Sequence, residues 1–229
     1  MVNVTNAGPG RPRLTKQRRP GPTATAQILD AAAELFTTQG FSSTSTRKIA
    51  DAVGVRQASL YHHFATKDDI LVALLEGTVT TALAVADQLV DRPEPAAVRL
   101  YALLNFDAGQ LLSGRWNLGA LYLLPELRTE RYAPFRDERQ KLRDRYAQLA
   151  RLVLDDLGIV DDTRCGLPFR LVETVINERS DTEAGAGAGA PIEAPTIAEA
   201  GLRVLGWTDL DAVRASAATL VLRENNGGR

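Results

Sequence analysis

From Thr23 onward the hydrophobic positions of this 229-residue chain recur three and four residues apart, and nowhere at the alternating spacing of a convincing strand. Ile28, Ala31, Ala32, Leu35 and Phe36 form one stripe, and Gly40 stands where a helix would stop. Residues 42–45 are serines and threonines that can cap a short second helix, marked by Ile49, Ala50 and Val53 and ended by Gly54. A third helix is predicted over 57–64, with Leu60 and Phe64 on its buried face. Thr66 caps a longer helix over 67–90, turning Ile70, Leu71, Leu74, Leu75 and Val79 inward. Beyond Pro93 and Pro95, residues 96–112 are apolar on most sides, as in a helix buried within a bundle. A short apolar segment over 116–124 is stopped by Pro125. A helix over 134–157 follows, with Leu142, Tyr146, Leu149 and Val153 on one stripe and Gly158 as terminator. Helices over 167–178, 197–205 and 210–222 close the chain.

The pattern predicts an all-α protein. A flexible basic arm (1–22) precedes a three-helix unit (23–67), and a larger helical bundle (68–229) follows. Within that bundle, "SDTEAGAGAGAPIEAP" (180–195) reads as a mobile, dispensable Gly/Ala linker.

Charge divides the chain the same way. Residues 1–67 carry nine Lys/Arg against three Asp/Glu, and the remainder carries 18 against 25, although the formal net charge is only -1. A basic end on an acidic body points to a polyanionic partner for the first third. The stretch "PGRPR" resembles short hooks that lie in minor grooves, so Arg11, Arg13, Lys16, Arg18 and Arg19 are expected to add affinity with little sequence content. One cysteine, Cys165, excludes an internal disulfide and leaves any cysteine-based zinc site short of ligands. The Arg18-Arg19 pair is not read as an export signal, because Asp30 and Glu34 follow it in an amphipathic helix. No run of 18 apolar residues occurs, so no membrane span or membrane partner is expected, and the cytoplasm is the predicted location.

Both histidines lie in "GVRQASLYHHF" (54–64). Adjacent residues on a helix point about 100° apart, so His62 and His63 do not converge on a metal. A Ser-His-Asp or Cys-His device needs a histidine, and both sit in this segment. The expectation is no catalytic residue, no metal site, no cofactor and no enzymatic activity. Short helix, glycine-bearing turn and short helix over 46–64 is helix-turn-helix spacing. Ile49, Val53, Val55, Leu60 and Phe64 would hold the pair together. Arg56, Gln57, Ser59 and His62 would then face outward as donors for base edges in a major groove. Thr46, Arg47, Tyr61 and Lys67 occupy helix ends or flanks, where phosphates are held. His63 is read as a packing or surface residue.

The stretch "TSTRKIADAVGVRQASLYHHFATKDDILVAL" resembles the DNA-binding region of tetracycline-repressor (TetR) family transcription regulators, over 23–79. The resemblance rests on Ile49-Ala50, Gly54-Val55, Leu60-Tyr61, Phe64 and Lys67-Asp68. It implies a homodimeric repressor on a double-stranded, inverted-repeat operator, with Tyr61 and Lys67 gripping phosphates. It also implies a C-terminal domain that binds a small-molecule effector and dimerises through its last main helices. Leu171, Val175, Val213 and Leu220 are expected at that subunit contact. Two positions depart from the family pattern: Arg56 replaces the usual capping Ser or Thr, and Ala58 stands where Gly is frequent. Arg56 cannot cap as an acceptor, so operator sequence does not carry over from relatives.

The apolar segment 96–124 holds isolated polar groups and rings. Tyr101, Asn105, Phe106, Gln110, Trp116 and Tyr122 are the expected ligand residues, with core packing as the competing reading for Phe106, Trp116 and Tyr122. A lipophilic effector is expected between this segment and the helix over 134–157. It would push the helix that begins at Lys67 and lower DNA affinity. The alternative for the whole chain is a helical small-molecule-binding protein that never touches DNA.

Overall fold

A computed structural model describes residues 19–160, 162–185 and 190–220, and among these there is no strand. The helices are α1 (Ala24–Gln39), α2 (Thr46–Val53), α3 (Gln57–Tyr61), α4 (Lys67–Val90), α5 (Ala96–Ser113), α6 (Ala133–Asp156), α7 (Leu167–Glu183), α8 (Ala194–Arg203) and α9 (Leu210–Ala217). Between α5 and α6 the chain makes three 3-10 turns, Leu118–Leu123, Pro125–Arg128 and Glu130–Tyr132.

The helix starts are fixed by the residues the sequence offers. Thr23 accepts from the amide of Ala26 at 3.1 Å, and Ser45 accepts from that of Lys48 at 3.2 Å. Thr66 and Asp69 form a reciprocal capping box at the head of α4. Gly54 closes α2 in the left-handed region (φ 82°), its N–H returning to the carbonyl of Ala50, so the chain can turn sharply into α3.

α1, α2 and α3 pack around Ile28, Phe36, Ile49, Val53 and Leu60, and α4 carries this small core into the bundle. By length and composition α4 would suffice to cross a membrane, with mean hydropathy 1.7 over an 18-residue window. Glu76, Gly77 and Thr78 interrupt its apolar run. Its apolar side chains are taken up by α1, α5, α6 and the first 3-10 turn, which makes it a core helix of the bundle. α5 is the centre of the bundle, with α4, α6, α7, α8 and α9 around it. Gly201 lets α8 lie directly on it: a Cβ there would stand 2.6 Å from Leu104 Cδ1.

The structure corrects several boundaries. α3 ends at Tyr61 rather than at Phe64, and α6 begins at Ala133. α7 runs on to Glu183 and α8 starts at Ala194, so both ends of the expected linker are helical. At the start of the expected linker Ser180 Oγ accepts from Asn117 Nδ2 at 3.0 Å. α9 stops at Ala217; of the rest of its predicted span, 218–220 are not helical and 221–222 lie outside the described residues.

Of the expected subunit-contact residues, Val175 and Val213 are buried inside the subunit itself. Leu220 packs against the same core, and Leu171 is half-buried. The end of the expected arm, 19–22, touches α1. Arg19 pairs with Asp30 at 3.3 Å and with Glu34, and Gln27 Nε2 donates to the Gly21 carbonyl at 3.0 Å. Arg11, Arg13, Lys16 and Arg18 lie outside the described residues.

Candidate nucleic-acid interface and effector cavities

The outer side of α2–α3 gathers most of the residues expected to meet DNA. Thr46 Oγ1 lies 3.1 Å from Tyr61 Oη, and Gln57 Nε2 donates to both, at 3.0 and 3.2 Å. This triangle sits across the gap between the start of α2 and α3, on the exposed side. Arg47, Arg56, Gln57, Ser59, Tyr61 and His62 are all exposed. Arg56 stands at the head of α3 without a side-chain cap bond, as its lack of an acceptor requires. His63 turns away from this face, its Nδ1 3.2 Å from Thr25 Oγ1 on α1.

Lys67 is engaged differently from the expectation. Its ammonium donates to the carbonyls of Phe41 and Thr44 at 2.7 and 2.9 Å and lies 4.1 Å from the centre of the Phe41 ring. It pins the α1–α2 loop to the head of α4, an interior duty that no local sequence signal announces.

Two sets of contacts tie the three-helix unit and the head of α4 to the rest of the bundle, and sequence reasoning missed both. Asp30 on α1 accepts from Trp116 Nε1 at 3.0 Å and from Arg115 Nη1 at 3.0 and 3.2 Å, besides its pairing with Arg19. Arg19 Nε in turn donates to the carbonyl of Ala52 on α2 at 3.4 Å. Asp30 and Glu34 are one turn apart, which marks an acidic edge on α1. Its partners at 115–116 are too distant along the chain to be read from spacing. The second set runs through the 3-10 turns: Ser42 Oγ donates to Glu126 at 3.0 Å, Arg131 donates to Thr66 at 2.9 Å and pairs with Asp69, and Tyr132 Oη donates to Asp68 at 2.7 Å.

The expected ligand residues do not share one chamber. Tyr101, Asn105 and Phe106 line a cavity of about 310 Å³ beside α9, where Asn105 Oδ1 is buried without a partner. Gln110 and Trp116 line a second, more apolar cavity of about 310 Å³ with Leu29 of α1, Leu74 and Gly77 of α4, and Leu118. There Gln110 Nε2 is held by the Thr78 carbonyl at 2.8 Å. Tyr122 lines a third cleft on the far side, along α6. The reason is the central place of α5, whose polar positions look out on different neighbours.

Between the segment 96–124 and α6, where the effector is expected, a cleft of about 360 Å³ lies against Tyr122, Leu123 and Leu124, but where α5 itself meets α6 only about 20 Å³ is free. A buried polar cluster lies there. Tyr146 Oη donates to Asp107 Oδ2 at 2.9 Å, Tyr122 Oη donates to Thr78 Oγ1 at 2.6 Å, and Arg139 pairs with Glu173. Burial pushes the Asp107 carboxyl up to about 7, against the pull of the Tyr146 hydroxyl and with the help of the Glu173 charge.

A helix-turn-helix with an exposed, donor-rich third helix, carried on a helical bundle that holds cavities, defines a DNA-binding transcriptional regulator. Residues 28–74 match the family described as bacterial regulatory proteins, tetR family. The crystal structure of Mycobacterium smegmatis AmtR is 59% identical, covering 89% of this chain and 97% of that one, with a TM-score of 0.82. The chain belongs to the tetR family. The repressor KstR2 of Mycobacterium tuberculosis is 36% identical over 84 residues; the match spans 36% of this chain and 42% of that protein's length. Its solved structure superposes with a TM-score of 0.63 at 22% identity, a likeness of fold.

Proposed function

We propose that the protein is a cytoplasmic repressor that binds an inverted-repeat operator as a homodimer and leaves it when a small lipophilic effector binds. The observation that carries the reading is the exposed array on α2–α3. Arg56, Gln57, Ser59 and His62 stand ready for base edges, while Thr46, Arg47 and Tyr61 flank them for phosphates. A single short reading helix needs a second copy, which puts two half-sites about 34 Å apart or a modest multiple of it. The division of labour is an arm ahead of the first helix, a DNA-binding unit over 23–67, and a bundle over 68–229 that binds effector and dimerises.

Selection of bound genomic fragments by the purified protein is expected to return such repeats. Gln57→Ala should then shift preference at particular base pairs, each by roughly 1–3 kcal/mol. Arg47→Ala should weaken all sequences alike and lower the slope of log affinity against log salt by about 1. Deletion of 1–18, which spares the paired Arg19, should flatten that slope further. Fragments without two-fold symmetry, or equal losses at every base pair for both variants, would overturn the assignment.

The effector is assigned to the cavity at the junction of α1, α4, α5 and the first 3-10 turn, because Trp116 is at once its wall and a donor to Asp30. A ligand that displaces the indole breaks that bond and frees α1 from the bundle. Such a ligand acts only through its unequal affinity for the two arrangements. Trp116→Phe keeps the wall and removes the donor. We expect it to bind operator more weakly without ligand, and to respond less to any lipophilic compound that stabilises the wild type in a thermal-shift screen. Unchanged operator affinity and release in Trp116→Phe would place the coupling elsewhere.

A further inference from the structure

The third cleft, along α6, has a different chemistry from the effector chamber. The cleft between α6 and the first two 3-10 turns encloses about 360 Å³. Its floor is apolar and aromatic, from Tyr122, Leu124, Leu127 and Phe135, and its charged lining is arginine throughout: Arg128, Arg136, Arg139 and Arg143. No carboxylate lines it, although residues 68–229 carry 25 acids against 18 bases. Among the described residues only Arg139 of these four pairs with an acid, Glu173, and its Nε is buried with no hydrogen-bond partner there. Arg143 leans over the Phe169 ring at 5.3 Å, and it donates a long hydrogen bond, 3.4 Å, to Gln140. Arg128 is exposed.

Like charges gathered in a half-enclosed cleft repel one another, and an anion relieves that repulsion. Guanidinium groups suit a carboxylate or phosphate, which they can hold by paired N–H bonds. We propose that this cleft binds an amphipathic organic anion. Its head group sits among Arg128, Arg136, Arg139 and Arg143, and its apolar body lies on Tyr122, Leu124 and Phe135.

The cleft is wired to the DNA-binding unit by a route separate from Trp116. Arg136 Nη1 donates to the carbonyls of Leu127 and Thr129, each at 2.6 Å, and so clasps the second and third 3-10 turns. Those turns carry Glu126, Arg131 and Tyr132, which reach Ser42, Thr66 and Asp68 at 3.0, 2.9 and 2.7 Å. An anion that draws Arg136 off its carbonyls loosens the turns that seat the helix-turn-helix. Binding to the cleft is independent of the proposed repressor reading; the effect on DNA rests on it.

The test is calorimetric titration of the full chain with decanoate, decyl phosphate and decanol. One site for the two anions is expected, with decanol at least about tenfold weaker, because a hydrogen bond to a charged group is worth a factor of this size. The stronger of the two anions identifies the head group as carboxylate or phosphate. Arg128→Glu and Arg143→Glu should each weaken the anions about tenfold while leaving the melting temperature and decanol binding in place. Trp116→Phe should leave all three titrations unchanged. Saturating anion should lower affinity for selected DNA. Decanol binding as tightly as decanoate, or anion binding indifferent to both charge reversals, overturns the site. Anion binding with undiminished DNA affinity overturns the coupling, whereas failure of DNA binding altogether falsifies the repressor reading and leaves the cleft standing.

Discussion

Asp107→Asn is expected to stabilise the protein by about 2–4 kcal/mol at pH 8 and to change it little near pH 4. The Asp107 side chain is buried among Tyr146, Tyr122 and the Arg139–Glu173 pair, and its carboxyl is pushed from the usual 3.8 up to about 7. In the unfolded chain the same carboxyl loses its proton near the ordinary value. Between the two, the folded protein holds a proton that the unfolded chain has released. Stability is therefore fully present below the unfolded pKa, falls as pH rises toward 7, and levels off above it. Each pH unit is worth about 1.4 kcal/mol, and relaxation of the surroundings trims the total. Asparagine keeps an oxygen to accept from Tyr146, which now donates at 2.9 Å. The free space of about 20 Å³ beside it has room for one water to meet the new amide. Urea unfolding from pH 5 to 8 checks this: the wild type should lose stability up to about pH 7 and then level off, while the variant stays flat. Parallel curves would mean that another group titrates there.

Lys67→Met is expected to cost roughly 2–3 kcal/mol and to abolish binding to every DNA sequence alike. Methionine retains the stem but leaves the Phe41 and Thr44 carbonyls without the ammonium that meets them at 2.7 and 2.9 Å. The three-helix unit is close to the size, about 40 residues, at which a lone core becomes marginal. Losing the pin that seats its loop on α4 should therefore loosen the whole reading face. Hydrogen exchange should report faster opening of α2 and α3, with α7 and α8 unaltered. Where residual binding can be measured, its salt slope should match the wild type. A slope lowered by about 1 with native stability would instead make Lys67 a phosphate ligand.

Much of the architecture was legible along the chain. Thr23, Ser45, Thr66, Gly40, Gly54 and Gly158 stop or start helices through their own backbone and side-chain chemistry, so six helix boundaries follow from near neighbours. The spacing of Ile49, Val53, Leu60 and Phe64 likewise implies the helix-turn-helix. Its outward donors follow as the remainder, and Thr46, Gln57 and Tyr61 are close together as their helix positions suggest. The α3 end was misplaced because Phe64 reaches the core from a turn: its N–H returns to the Leu60 carbonyl at 3.0 Å, as it would in a helix.

The sequence by itself determined the periodic helices, the basic first third on an acidic body, and the exposed donor-bearing face of the helix-turn-helix, since each depends on residues within a turn or two of one another. Tertiary structure alone decided what the isolated polar groups of 96–124 do. Asp107 went to Tyr146, Gln110 to the Thr78 carbonyl, Trp116 to Asp30 and Asn117 to the Ile176 carbonyl and Ser180. Each partner lies 32 to 86 positions away. A buried polar group must find a partner, but which one depends on how α5 is surrounded, and that arrangement is a property of the packed bundle rather than of any local pattern.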